Sequence, residues 1–426
     1  MLSRALNDEI FKIAYSYIRY NADVCFRSNG KQYCVLDGTL TIVGGRNGMM
    51  GKDAYGSFKA DSVVLANEEN VRTEITARSY DGGKTVVFEM EFPDGLENCA
   101  TTDENDIITS FPSFRVGNEY YNGTAPRGFI SFNGAMLGAD AVVSSFDKDG
   151  MANNLGSGLM DTSPLAIFNT KQTLVMSSAS NFMAVNQKFD RDESNLSYGI
   201  MGRVQSVPKG FSYEVIVSLS DGGASAAMDE WGQKLLDRYQ KSKQVAFSDF
   251  TTNYLQYSTD NGAYYYYLTE ENKTYQDTII DVKEYADKVG IPYRQWLMDS
   301  WWYFKGTGNG VKNWTAMSSI FPNGIDYVFD HTDNMPIVAH NRYWSANTDY
   351  AKQNGGDFEF IIESDSHQGL AMPTEQRFWD YLMSSSLEWG LKVYEQDWLY
   401  NEFSEMNCTL ESATLARQWL VQMGTQ

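Results

Sequence analysis

Residues Leu391–Leu399 read LKVYEQDWL. Gly390 ends an amphipathic helical pattern just before this run, and the polar residues Tyr400, Asn401 and Glu402 follow it. The run is too short and too aromatic for a helix, so it reads as a buried strand between two helices. Side chains alternate along a strand, which puts Val393, Glu395 and Asp397 on one face and Tyr394, Gln396 and Trp398 on the other. Two carboxylates at the C-terminal end of a buried strand are costly unless hydrogen-bonded, paired or used. In a β/α barrel that end carries the catalytic groups. An acidic pair that caps the next helix is the plainer alternative.

Upstream of this strand, from about residue 250, strand and helix patterns alternate. Tyr254–Gly262 reads as a strand ending in a polar loop, and Tyr275–Val289 as a helix stopped by Gly290 and Pro292. A second strand follows over Tyr293–Trp302. Phe321-Pro322-Asn323-Gly324 turns into a short helix, and Met335–Trp344 is the third strand. Thr374 is placed to cap a helix over Glu375–Trp389, which makes Leu391–Leu399 the fourth strand. Repeated β-α units predict a parallel sheet with crossover helices. A doubly wound sheet would want a glycine-rich phosphate loop after its first strand, and Asp260-Asn261-Gly262-Ala263-Tyr264 is not one.

The first half of the chain has a different period. Between about residues 20 and 220, short two-residue alternations are broken by Gly, Asn and Asp, as in Arg72–Arg78 and in Thr85–Phe92 after the turn Asp81-Gly82-Gly83-Lys84. Many strands without intervening helices predict a large antiparallel sandwich. The pattern becomes helical after Gly222-Gly223, where Met228, Trp231, Leu235, Leu236 and Tyr239 form a stripe. The expected organisation is therefore multidomain, β plus α/β: a sandwich over residues 1–222, a connecting helix and linker over 223–249, and β/α units of a (β/α)8 TIM barrel over 250–426.

A net charge of −21 and the lack of a Lys/Arg cluster argue against nucleic acid and anionic membrane as partners. Aromatics make up 14% of the chain, enough to supply stacking platforms for sugar rings as well as core. Cys25, Cys34, Cys99 and Cys408 show no zinc spacing, so no metal or other cofactor is expected. Cys25 and Cys34 could join the arms of a hairpin or stand as free thiols. No signal-peptide pattern is read at Met1-Leu2-Ser3-Arg4, and the five Asn-X-Ser/Thr sites, Asn122 among them, do not establish secretion. The compartment is left open.

With Asp299-Ser300-Trp301-Trp302, Phe321-Pro322-Asn323-Gly324 and Asp397 in these places, the chain resembles the retaining alpha-galactosidase and raffinose-synthase group of glycoside hydrolases. Those proteins place a β-sandwich before a (β/α)8 barrel. The resemblance implies a carbohydrate substrate with α-linked, galactoside-like sugars. It makes Asp397 the nucleophile, with Asp299 accepting hydrogen bonds from hydroxyls and Trp301, Trp302 or Trp344 stacking on the sugar. Glu395 stands where the family usually has Lys, and such a carboxylate beside Asp397 raises the pKa of one of the pair. Substrate preference, and activity itself, turn on that departure.

His340 and Arg342 lie two apart on the third strand. They either face the ligand or, for His340, find a backbone carbonyl in the core. Glu363, Asp365 and His367 belong to an insert that reads as a polar hairpin or a lid. A retaining enzyme also needs an acid about 5–5.5 Å from its nucleophile, and in the family that acid comes from a later strand. Only four strand–helix units precede Gln426, against about eight in a closed barrel. The sequence thus predicts an incomplete barrel, truncated and inactive alone. Pairing into an oligomer stays open, as does a non-catalytic carbohydrate-binding role.

Overall fold

The computed structural model describes residues 19–115, 126–133, 140–158, 163–260, 264, 268–365 and 368–425. His367, the loop residues Asn261, Gly262 and Ala263, and the sequon at Asn122 lie outside them. The chain divides into two compact units: Met1–Ser242 with Thr409–Arg417, and Lys243–Cys408 with Gln418–Gln426.

In the first unit the two-residue alternation folds as antiparallel sheet. Along Arg72–Tyr80, Thr73, Ile75 and Ala77 are buried while Glu74, Thr76 and Arg78 are partly open. Asp81, Gly82 and Gly83 then turn the chain with positive φ at all three residues, into Thr85–Phe92. This pair sits inside a nine-stranded sheet that ends at the exposed edge strand Thr41–Asp53. A second layer contains the sheet of Arg19–Asn21, Ser113–Arg115, Asn195–Ile200 and Val185–Asp190. Phe88 from the first layer meets Phe111 at 5.7 Å and Phe114 at 6.0 Å, edge to face. The Tyr213 hydroxyl donates to the Phe111 carbonyl at 2.8 Å across the same core. Cys25 and Cys34 face each other across a hairpin and are joined by a disulfide.

The helical stripe after Gly223 forms Ala224–Arg238. The sequence reads it as a connector between domains, but its packing partners lie within the first unit. Ala227 packs with Ala166 and Val175, and Trp231 with Ile216 and Val87. These sheet residues alternate with Met176, Val217 and Phe88 of the main core, so the helix covers the other face of the nine-stranded sheet. The Glu214 carboxylate ties it down by accepting from Arg238 Nε at 2.9 Å, while also pairing with the buried guanidinium of Arg78.

A second boundary also shifts. Thr409–Arg417, which the sequence pattern places with the β/α units, belongs to the first unit. There the Glu411 carbonyl accepts from Gln205 N at 3.0 Å, and Leu410 and Ala413 join the core.

The second unit is built on four parallel strands in sequence order, Leu255–Ser258, Tyr293–Met298, Ile337–Asn341 and Leu391–Gln396. The helix Tyr275–Val289 runs between the first two. Thr274 and Asp277 form a reciprocal capping box at its start, and Gly290 ends it at φ 80°. Shorter helices, Ile325–Asp330 and Gln376–Leu387, precede the third and fourth strands. Thr374 does not cap the latter. Its backbone N–H still bonds the Glu359 carbonyl at 3.1 Å, so it lies on an extended segment before Glu375, which is the N-cap residue. Beyond the second and third strands the chain adds a five-stranded sheet: Tyr303–Lys305, Val311–Ala316, Trp344–Ser345, Leu370–Pro373 and Phe360–Glu363. The insert is thus a hairpin, Phe360–Glu363 paired antiparallel with Leu370–Pro373.

Candidate functional site

Register decides which side chains meet at the C-terminal ends of the parallel strands. Met298 pairs with Ala339, and Ala339 with Tyr394. One residue further, Asp299 stands level with His340, which pairs with Glu395. Partners in parallel strands point to the same side of the sheet. Asp397 follows one step beyond, its N–H bonded to the Asn341 carbonyl at 2.8 Å.

His340 is 1% exposed, with its Nε2 3.3 Å from Asp397 Oδ2 and its Nδ1 3.2 Å from the Tyr303 hydroxyl. Burial raises the Tyr303 phenol well above its ordinary value, so it keeps its proton and can donate to Nδ1. That leaves Nε2 to donate to Asp397. The other oxygen of Asp397 accepts from the Trp398 N–H at 2.8 Å. The hydrogen bond from His340 holds the Asp397 carboxyl below the usual aspartate range, and the Trp398 N–H and the nearby Arg342 charge act in the same direction. Glu395 moves the opposite way. Burial pushes it up, His340 opposes this, and the Asp397, Asp299 and Asp260 carboxylates add to it. The pKa values of two acids two residues apart are therefore moved in opposite directions.

The next helix, Leu399–Ser404, has Trp398 as its N-cap residue at φ 63°, with no side-chain cap, so Asp397 does not serve as the plain helix cap considered above. The backbone leaves the strand after Gln396, which detaches Trp398 from the alternation read in the sequence. The Arg342 guanidinium then lies over the Trp398 ring at 4.6 Å. Trp398 is half-buried at this rim, and sequence reasoning did not single it out.

The three indoles expected to stack on sugar are packed elsewhere. Trp301 is 2% exposed, with its ring 4.3 Å from Tyr275 and 5.8 Å from Phe321, and its Nε1 donates to Thr259. Trp302 is fully buried between Trp314 and Trp389 and donates to the His340 carbonyl. Trp344 is fully buried against Phe378 and Tyr350. Each of these rings is taken up by neighbouring aromatic side chains instead of standing open at the strand ends.

Glu363 is likewise committed, since its carboxylate accepts from the N–H groups of Asn407 and Cys408 at 2.9 and 2.8 Å. Among the described residues the one group of acids and thiols spaced for a metal is Asp23 with Cys25 and Cys34, and those two cysteines are disulfide-bonded. Sequence reasoning also passed over Glu402. This acid is fully buried, accepts from Trp344 N at 2.9 Å, and is pushed by burial up to about 8. The sequence carried little signal for this, one acid between Leu399 and Phe403 in a segment that reads as polar. Among the described residues no helix is long and apolar enough to cross a membrane.

No protein-family model matches the chain, and no curated protein matches it either. Solved structures do. An alpha-galactosidase from Lactobacillus brevis aligns at TM-score 0.55 and 13% identity, over 95% of this chain and 57% of that one. A GH36 alpha-galactosidase from Geobacillus stearothermophilus, in complex with stachyose, aligns at TM-score 0.57 and 12% identity, over 95% of this chain and 59% of that one. An alpha-N-acetylgalactosaminidase from Bifidobacterium bifidum aligns at TM-score 0.50 and 10% identity, over 88% of this chain and 63% of that one. The chain is similar in fold to these glycoside hydrolases and spans less than two thirds of their length.

Proposed function

We propose that the second unit works on carbohydrate as a glycoside hydrolase-like module, with the four parallel strands forming part of a (β/α)8 barrel and Asp397 as the nucleophile of a retaining reaction on α-linked, galactoside-like sugars. The observation that carries this is the buried His340 imidazole holding an ionised Asp397 at the C-terminal end of a parallel strand. The alpha-galactosidases of similar fold, one of them in complex with stachyose and another with raffinose, support the substrate class.

In that reaction an Asp397 carboxylate oxygen attacks the anomeric carbon, the glycosidic C–O bond breaks, and an acid protonates the leaving oxygen. Water or a second sugar then displaces Asp397, giving hydrolysis or transglycosylation with retention. Asp299 and Glu395 would accept or exchange hydrogen bonds with sugar hydroxyls. Arg342 and Trp398 would border the ring, a role this geometry moves from Trp301, Trp302 and Trp344 to Trp398. No residue of this chain is assigned as the acid.

α-Galactosyl fluoride tests the nucleophile independently of the acid, because fluoride leaves without protonation. The full chain should release fluoride and Asp397→Ala should not. A second reading, a non-catalytic carbohydrate-binding protein, is favoured by Glu395, whose carboxylate stands beside Asp397 where a cation would hold it ionised. Sugar binding without fluoride release in either protein would select that reading.

A further inference from the structure

We propose that the groove beside the candidate site receives an anionic group on the leaving-group side of the substrate: an acidic sugar or aglycone rather than a neutral one. The proposal rests on the carbohydrate reading above and narrows its substrate class.

The groove encloses about 580 Å³ on the flank of the second strand, and its walls include Tyr275, Trp301 and Tyr303 with Lys273 and Lys305. That volume is in the range that accommodates small ligands. None of its described lining residues is Asp or Glu, in a chain whose acids outnumber its bases 55 to 34. The acids at these strand ends lie outside that lining, with Asp397, Asp299 and Asp260 all close enough to act on Glu395. Lys305 lines the groove and lies within electrostatic reach of Asp299.

Lys273 is engaged by Asp281 of the adjoining helix. Among the described residues Lys305 makes no ion pair, and its side chain is exposed at the end of Tyr303–Lys305. Burial of part of its stem lowers its pKa, the Arg342 charge lowers it further, and Asp299 opposes this. An anion in the groove would supply a counter-charge that none of the described lining residues places there. The helix N-terminus at the rim is not the attraction, because Thr274 and Asp277 already satisfy it. Hydroxyls of Thr269 and Ser319 add donors around the opening. The ring of the galactoside-like sugar would sit over Asp299 and Asp397, and the next group would cross Lys305 into the groove.

Isothermal titration of the full chain with melibiose and with melibionate tests this. Melibionate is the same α-galactoside with its reducing end oxidised to a carboxylate. Melibionate should bind about tenfold more tightly at low ionic strength, with an advantage that shrinks as salt is added. Lys305→Met should erase the advantage while leaving melibiose affinity within about twofold, and Lys305→Arg should keep it. Circular dichroism melting checks that both variants fold. Equal affinities, or weaker melibionate binding as the overall negative charge alone would give, overturn the proposal and leave the carbohydrate reading standing. So does a preference that survives Lys305→Met, since Lys305 then serves only Asp299. Binding of neither sugar overturns both.

Discussion

Nε2 of His340 lies 3.3 Å from Oδ2 of Asp397, while Nδ1 of the same ring meets the Tyr303 hydroxyl at 3.2 Å. One buried imidazole thus links the segment beyond the second strand to the end of the fourth. It orders a proton-donor chain, Tyr303 to His340 to Asp397, that leaves the carboxylate ionised and fixed in rotation.

Removing the imidazole should therefore change a pH profile as well as a rate. Asp397 is held below its ordinary pKa chiefly by His340, so it is active above that pKa and lost as pH falls through it. In His340→Phe the acid limb of fluoride release should move to higher pH, with kcat/KM down about 10–100-fold, the usual cost of losing a group that orients a functional ligand. A lower rate with an unmoved acid limb would make His340 structural only.

Glu402 makes stability depend on pH. Its pKa is raised from 4.5 to about 8 in the fold, so the folded chain keeps a proton that the unfolded chain releases. The contribution is full below the unfolded value of 4.5 and is lost as pH rises through about 8. At about 1.4 kcal/mol per unit the swing is several kcal/mol. Urea midpoints of the wild type should fall between pH 5 and about pH 9, and Glu402→Gln should flatten that slope.

Arg78 lies at the centre of a buried charge group on the first unit, paired with Glu89 at 2.6 Å and with Glu214. Arg78→Met would leave two carboxylates facing each other, with Arg238 and the Tyr55 hydroxyl left to serve Glu214. A loss of about 3–5 kcal/mol is expected from denaturant unfolding. Arg78→Lys should recover only part of it, since one ammonium cannot make both forked contacts.

The disulfide should matter modestly. It closes a loop with a sequence separation of 9, for which chain-entropy arguments give about 2–3 kcal/mol. Replacing both Cys25 and Cys34 by Ser should lower the unfolding free energy of the first unit by that order, and thiol reductant should then have no further effect.

Local signals carried the elements that local chemistry specifies. The helix Tyr275–Val289 was legible to the residue because Thr274 and Gly290 set both of its ends. Counting along strands whose period is 2 put Glu395 and Asp397 on one face and His340 with Arg342 on another strand's face, but the meeting of His340 with Asp397 came only from the structure. What failed was long-range. The alternation of Leu391–Leu399 continues through Trp398 in the sequence, yet the backbone turns left-handed there at φ 63°. Trp301, Trp302 and Trp344 carry the same letters whether they stack on a sugar or on Tyr275, Trp314 and Phe378. Nor does any local period announce that Thr409–Arg417 returns to the first unit, because its partners lie some two hundred residues earlier.

That return imposes an order of assembly. A ribosome releases Met1–Ser242 long before Thr409–Arg417, and all of Lys243–Cys408 is made in between. Until then the nascent sandwich lacks Leu410 and Ala413 from its core, and the carbonyl of Glu411 is not there to take the Gln205 N–H. The early product is a protein with an open seam, dependent for closure on a segment made only after all of Lys243–Cys408. A stop or frameshift after Cys408 would therefore damage the first unit, although every residue before Ser242 would be intact.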